Sequence, residues 1–313
     1  MQATRQHTAP KKKSFIVRFS KQIPLQIMVL IGMAFIVFFR FVPIYGLQLA
    51  FKELIPGKGI WDARFVGFKH FEDFFLSGNA GRVLGNTLGL SFLKILISFP
   101  MPILFALLLN EIQSYRARSL VQGISYLPHF LSWVVVMGVV SGILQREGGV
   151  INGMLMGLGM IKDPIHFLGE PKLFWPVLIL LEVWKGTGWS AIVYMASISS
   201  IDPQLYEAAR VDGAGKFRQI LNITLPAIMP TVAIMLILRV GSILDAGFDQ
   251  ILVFRNSITH DKASILDVYV YDVGSKQGRF GYATAVGLFK SVVGLIMVST
   301  SNMIARHFEM GLW

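Results

Sequence analysis

The 313-residue sequence contains no cysteine. Disulfides, thiolate metal sites and cysteine nucleophiles are thereby excluded, while the compartment stays open. Charge is also scarce, at 15% of residues, against roughly 25% for an average soluble domain. The first 21 residues hold six bases and no acid. No G-x-x-x-x-G-K-[ST] phosphate loop is present, since Gly215-Lys216 runs into Phe217 and lacks the upstream glycine. No HExxH and no clustered histidine set exist either, so neither a metal site nor catalytic residues are expected. The six histidines are scattered. His129, beside Pro128, reads as an interfacial residue at a span end rather than a catalyst.

What the chain has in quantity is uninterrupted apolar sequence. Eighteen residues without a formal charge separate Lys21 from Arg40, 27 separate Arg118 from Arg146, and 16 separate Lys185 from Asp202. Runs of about 18–25 residues match the hydrocarbon thickness at about 1.5 Å per helical residue. A backbone facing lipid must satisfy its own polar groups, so the spans are expected to be helical. The predicted fold is all-α, a polytopic membrane protein with six transmembrane helices. The spans fall at 23–44, 86–110, 130–144, 173–197, 227–244 and 282–304. The apolar stretch 148–161 is short and glycine-rich, which predicts a re-entrant or surface helix, not a seventh span. The basic start followed by an apolar run lacks a small-x-small cleavage site, so it reads as a retained first span.

Orientation follows from the charges that flank the spans. Lys and Arg tie at twelve on each side, but the outer segments are longer, and long loops cross with little regard to charge. The basic N-terminal 21 residues then decide the matter: both termini are expected in the cytoplasm.

The segment 201–226 reads IDPQLYEAARVDGAGKFRQILNITLP. Asp202 can cap a helix that starts at Pro203. Leu205, Ala208, Ala209 and Asp212 recur at helical spacing, with Glu207 and Arg210 on a polar flank. Gly213-Ala214-Gly215 stops the helix, and a second amphipathic piece over 216–225 leads to Pro226. A short helix, a glycine turn and a second short helix are predicted, with two small alanines that another protein can approach closely.

This loop resembles the EAA loop of permeases from binding-protein-dependent ABC importers, whose pattern is E-A-A, three residues, G, nine residues, I-x-L-P. Glu207, Ala208, Ala209, Gly213, Ile223, Leu225 and Pro226 fill every position. The stretches LPHFLSWVVVMGVVSGIL, AGFDQILVF and YATAVGLFKSVVGLIMV, with the terminal GLW, resemble the polysaccharide-uptake branch of sugar permeases. One departure is Phe254-Arg255-Asn256-Ser257, where many sugar permeases carry Gly-Gly-Pro. The resemblance implies a type I ABC importer permease fold in a bacterial inner membrane, with residues 1–22 a cytoplasmic tail, 23–81 the first span and outer loop, and 82–313 a five-helix core. It implies no cofactor on this chain, with ATP and Mg on a separate ATPase. The implied partners are a second homologous permease, two ATPase subunits, an extracytoplasmic solute-binding protein, membrane lipid and a saccharide; no nucleic acid is expected. Glu207, Ala208, Ala209, Arg210, Asp212, Gly213, Leu225 and Pro226 would form the ATPase-docking loop, with Glu207 as electrostatic anchor and Gly213 as turn.

The spans contain Arg40, Lys94, Lys185, Arg239 and Lys290 against one acid, Glu182. Charges at mid-membrane are costly and usually face a partner or an aqueous path. Arg40 is expected near a span end, where it can snorkel. Glu182 and Lys185, three apart, are expected to neutralise each other. Lys94, Arg239 and Lys290 show no partner in sequence, and two readings stay open for them: the substrate path, or structural pairing. The excess of bases favours an anionic substrate, and the resemblance implies that it is an alginate-like oligo- or polysaccharide. Trp133, Trp175, Trp184 and Trp189 can offer faces to sugar rings or anchor the chain at the interface. Gly138-x-x-x-Gly142 is expected to pack closely on another helix. An ion-coupled secondary carrier using Glu182, or a membrane-embedded enzyme, are the competing functions.

Overall fold

The computed structural model describes residues 22–55, 57–307 and 311. The basic tail at 1–22 thus lies outside the described residues except for Gln22, as does most of the terminal GLW. The chain divides into two units, Met1–Leu49 and Ala50–Trp313.

The first unit holds α1 (Ile23–Ile36), which runs on through a widened π turn, Val37–Phe41, into a tight 3-10 stretch, Val42–Phe51, whose last two residues belong to the second unit. The whole apolar helix covers Ile23–Phe51, seven residues beyond the predicted end. Arg40 therefore sits within the helix, in its π turn, rather than near the end of the span. Leu25, Met28, Ile31, Phe35 and Phe38 are all more than half exposed. In lipid such a helix needs no protein cover, because the surrounding tails are as apolar as its side chains.

The second unit opens with a two-stranded antiparallel ribbon, β1 (Lys52–Glu53) and β2 (Arg64–Phe65). Helices α2 (Lys69–Leu76), α3 (Ala80–Ser98), α4 (Pro100–Asn110), α5 (Tyr115–Tyr126), α6 (Trp133–Leu144) and α7 (Val150–Gly157) follow. Then come α8 (Pro171–Ser199), α9 (Pro203–Val211), α10 (Lys216–Gln219), α11 (Leu225–Gly241), α12 (Phe248–Phe254), α13 (His260–Ala263), α14 (Leu266–Tyr271) and α15 (Phe280–His307).

Among the described residues, five stretches are long and apolar enough to cross a membrane: Ile23–Phe51, Ala80–Asn110, Pro171–Ser199, Lys216–Gly241 and Phe280–His307. The third predicted span, 130–144, is half of a bent pair. Tyr115–Phe130 and Trp133–Leu144 meet at 102°, and counting that pair as one crossing brings the number to six. The break has a local cause. Leu131 and Ser132 are extended, and the Ser132 hydroxyl caps α6 by accepting the Val135 N–H at 3.3 Å. As expected, the segment 148–161 forms no seventh span; it holds only the eight-residue α7.

The second piece of the loop, predicted to be a separate short helix, is instead continuous with the fifth span through a π turn at Ile220–Thr224. A common device explains why prolines fail to break these helices. Before Pro43, Pro100 and Pro226 the helix widens by one residue, so that Val42 donates to Val37, Phe99 to Lys94 and Leu225 to Ile220. The widened turn makes room for the proline ring, which would otherwise clash with the preceding turn.

Three apolar clusters hold the second unit. Leu90, Val136, Leu178, Ile251 and Phe254 join α3, α6, α8 and α12. Phe74, Val83, Leu266, Tyr282 and Val286 join α2, α3, α14 and α15. Ala106, Leu109, Ala191, Tyr194 and Ile228 join α4, α8 and α11. Gly138 and Gly142, expected at a close helix contact, meet nothing within 4 Å of where a Cβ would stand. The close contact falls elsewhere: at Gly188 on α8, a Cβ would collide with the backbone of Ser125 on α5.

Candidate functional site

The loop after α8 folds from purely local signals. Asp202 caps α9 by accepting the Gln204 N–H at 2.9 Å, with Pro203 in the first turn. Gly213 closes it with φ +75°. The Ala214 N–H reaches the Ala209 carbonyl at 2.8 Å and the Gly213 N–H reaches Arg210 at 3.1 Å. This is the paired-bond helix stop that a left-handed glycine permits. Gln219 then donates to the Ala214 carbonyl at 2.7 Å, fixing the turn from its far side. Tyr206 and Thr224, joined by their hydroxyls at 2.8 Å, tie α9 to the start of the fifth span. Lys216 pairs with Glu111 at the end of α4, 3.0 Å away.

The apolar side of α9 faces outward. Leu205 is 52% exposed and Val211 88%, and Phe217 beyond the turn is 75% exposed. Glu207 and Ala208 are exposed and Ala209 is half-buried. Among the described residues Glu207 and Asp212 enter no ion pair, whereas Arg210 donates to its own helix at Tyr206. Leu225 packs among the residues that join α4, α8 and α11, and Pro226 is exposed.

The charges within the spans are arranged differently from expectation. Glu182 does not neutralise Lys185. Its carboxylate pairs with Lys94 and with Arg239, the latter at 3.2 Å. Lys94 and Arg239 therefore have the partner that their sequence neighbourhoods do not show. Lys94 is 1% exposed and also donates to the Ala246 carbonyl at 2.9 Å and to Gln250 Oε1 at 3.0 Å. Gly247 sits beside it with φ +94°, and a Cβ there would lie 2.7 Å from Lys94 Nζ. The site thus needs glycine for conformation and for space. Lys290 is paired too, with both oxygens of Asp267 at 2.6 and 2.8 Å.

Lys185 instead caps the bent pair. Its ammonium donates to the His129 carbonyl at 2.7 Å, where the chain leaves the first helix of the pair, and lies 5.3 Å from the Trp133 ring. His129 stacks on Trp189 with ring centroids 4.6 Å apart and planes 4° from parallel. As expected, His129 sits at a helix end.

Two clefts meet at these residues. One, of about 320 Å³, is lined by Lys94, His129, Trp133, Glu182, Lys185 and Arg239 among others. The other, of about 340 Å³, is lined by Phe99, Trp189, Tyr194, Met235, Glu182 and Arg239 among others. Lys94, Lys185, Trp189 and Arg239 are thus brought together at the clefts. Lys290 and Trp184 line neither. Gln250, Gly247 and the Ala246 carbonyl were not among the residues that the sequence pointed to. Their one local signal is Gly247 beside Asp245 and Gln250, three polar or flexible positions directly after an apolar span.

Residues 80–309 match the family described as binding-protein-dependent transport system inner membrane component. The chain is 42% identical over 304 residues to the polygalacturonan/rhamnogalacturonan transport system permease protein YteP of Bacillus subtilis (strain 168), covering 97% of this chain and 94% of that one. It is 40% identical over 302 residues to protein LplB of the same organism, with 96% and 94% covered. Among solved structures, it resembles a chain of a bacterial ABC transporter involved in the import of the acidic polysaccharide alginate. There the TM-score is 0.84 at 41% identity, over 93% of this chain and 97% of that chain. A bacterial alginate ABC transporter in complex with an alginate-pentasaccharide-bound periplasmic protein gives a TM-score of 0.84 at 40% identity, with 94% and 98% covered.

Proposed function

Because the chain belongs to the family of binding-protein-dependent transport system inner membrane components and is a permease subunit of an ABC sugar importer, we propose that it moves an anionic, alginate-like saccharide inward by alternating access, driven by ATP hydrolysed on partner subunits. It is a multi-pass inner-membrane protein. Its termini face the cytoplasm in this proposal, and its partners are a second homologous permease, two ATPases holding ATP and Mg, and an external solute-binding protein. The domain boundaries proposed from the sequence, 1–22, 23–81 and 82–313, belong to the same scheme.

The observation that carries the docking role is the outward-turned helix α9. A solvated helix normally hides its apolar stripe; this one presents Leu205, Ala208 and Val211, with Glu207 unpaired among the described residues. Such a surface fits a groove on another protein, where Ala208 and Ala209 allow close approach and Glu207 meets a basic group. ATP binding would draw the two ATPases together, and the bonds from Tyr206 to Thr224 and from Lys216 to Glu111 would pass that motion to the fifth and second spans.

The anionic cargo is supported by the excess of cations at the clefts, by the aromatic faces of Trp133 and Trp189, and by the likeness to alginate importers. The competing secondary-carrier scheme asked Glu182 to bind an ion, and that carboxylate is already held by two cations. The test of docking is Glu207→Arg in the reconstituted complex. Substrate-stimulated ATPase activity and uptake are expected to fall together; if both are unchanged, α9 is not the dock.

A further inference from the structure

The two clefts share one ion pair, Glu182 with Arg239. In that pair the acid is held firmly and the base loosely. Lys94, which keeps Glu182, is anchored by Ala246 and Gln250, and Gln250 in turn donates to the Leu178 carbonyl at 2.7 Å. The Arg239 guanidinium makes one hydrogen bond among the described residues, the 3.2 Å contact to Glu182, and a third of its side chain is exposed. A guanidinium carries five N–H donors in a fork that suits two parallel bonds to a carboxylate. Here one bond is made, and the other donors have no protein acceptor among the described residues.

Charge points the same way. The first cleft is lined by three bases, Lys94, Lys185 and Arg239, and by two acids, Glu182 and Asp245. Lys185 has no carboxylate partner among the described residues; its ammonium rests on a backbone carbonyl and an indole face. One positive charge is left over, beside aromatic rings, in clefts whose volumes fall within the range of about 300–1,000 Å³ typical of small-molecule sites.

We infer that Arg239 takes the carboxylate of an acidic sugar unit, and that Glu182 is the internal carboxylate it exchanges for the cargo. This rests on the anionic-cargo proposal above. The exchange leaves no charge stranded: Glu182 keeps Lys94, the arriving carboxylate neutralises Arg239, and the excess cation disappears. A buried charge without a partner is the costly state, and neither Glu182 nor Arg239 lacks one on either side of the exchange. Glu182 also stays in place to reclaim Arg239, so the bound sugar unit leaves as readily as it arrived. A conduit for a chain of acidic units needs that reversibility, since a site that held each carboxylate without competition would stall the chain.

The test uses the intact importer in vesicles, with its binding protein saturating, and two cargoes of equal length: a uronate oligosaccharide and its carboxyl-reduced counterpart. With Arg239→Gln, the half-saturating concentration of the acidic cargo is expected to rise at least about tenfold, as for loss of a charge-assisted bond, while the reduced cargo changes little. With Glu182→Gln, which removes the competitor, the acidic cargo is expected to shift the opposite way. Arg239→Lys, which keeps the charge without the fork, should lie between wild type and Arg239→Gln, and it carries the comparison if the glutamine variant does not assemble. Equal impairment of both cargoes by both substitutions would overturn the exchange and leave the pair a structural tie. If the unaltered importer treats the two cargoes alike, the anionic-cargo proposal itself fails, and the exchange with it.

Discussion

Gly188 on α8 and Ser125 on α5 approach so closely that a Cβ on the glycine would overlap the serine's carbonyl group. The contact sets how the first half of the bent pair lies against α8. It also explains a glycine at 188 when neighbouring Gly186 meets nothing within 4 Å. Gly188→Ala is expected to cost about 1–3 kcal/mol by overpacking and to lower the melting temperature of the purified protein. Gly186→Ala should leave that midpoint within error. Equal midpoints for the two variants would show that α5 moves aside freely.

A second expectation concerns the turn after α9. Gly213 holds a left-handed backbone that costs an ordinary residue about 1–2 kcal/mol. Gly213→Val should therefore misplace Ala214 and Gln219 and loosen α9 without touching the spans. In a reconstituted importer, membrane insertion and cargo-independent properties should persist while substrate-stimulated ATPase activity drops. Wild-type stimulation in the variant would show the turn to be dispensable.

Lys290 and Asp267 tie the last span to α14 while both side chains are largely buried, 27% and 20% exposed. Removing one partner strands the other, so Lys290→Met is expected to destabilise by about 1–3 kcal/mol. The double variant Lys290→Met with Asp267→Leu should recover most of that loss, because no unpaired charge remains. A double variant no better than the worse single would mean that the pair contributes geometry that apolar packing cannot replace.

The link between α12 and α14 has a defined response to acid. Arg255 holds the Asp272 carboxylate through bonds of 2.6 and 3.0 Å, and Lys276 adds a third at 2.9 Å; together they keep its pKa below the usual carboxylate range despite partial burial. A lowered folded-state pKa gives stability that is present above the unfolded value, about 3.9, and is lost as pH falls through the folded one. Hydrogen exchange over Leu266–Tyr271 should therefore stay slow at about pH 4 and quicken only below it. Arg255→Gln should move that quickening upward into the ordinary carboxylate range. An unchanged profile in the variant would sever the link between this pair and the fold of the segment.

How much of this was readable beforehand divides by distance along the chain. The loop around Glu207 was legible because its signals are neighbours: a cap at Asp202, a proline after it, a glycine where the helix stops. The partners of Lys94 were not legible, because Glu182 and Arg239 lie on other spans and only packing brings them together. Lys185, three residues from Glu182, looked like its partner on helical spacing alone. In the fold it instead caps the chain at His129, since the break at Leu131–Ser132 leaves a carbonyl there that needs a donor. That break was hidden by hydropathy, which sees 27 uncharged residues and no bend. The prolines misled in the other direction: a widened turn carries the helix past Pro226, where the short helix was expected to end, and another carries the first helix through Pro43 to Phe51, beyond its expected end at 44.

The exposed apolar face of α9 has a bearing on how cells must make this protein. Leu205 and Val211 stand uncovered between the fourth and fifth spans, and Phe217 stands uncovered at the very start of the fifth. Until something seats on them they are adhesive, and a copy synthesised without its counterpart carries the same signal that quality-control proteases and chaperones use to find misfolded chains. On the proposed docking role, the loop would double as a tag for orphans: the supply of the covering subunit would set how many copies of this one survive.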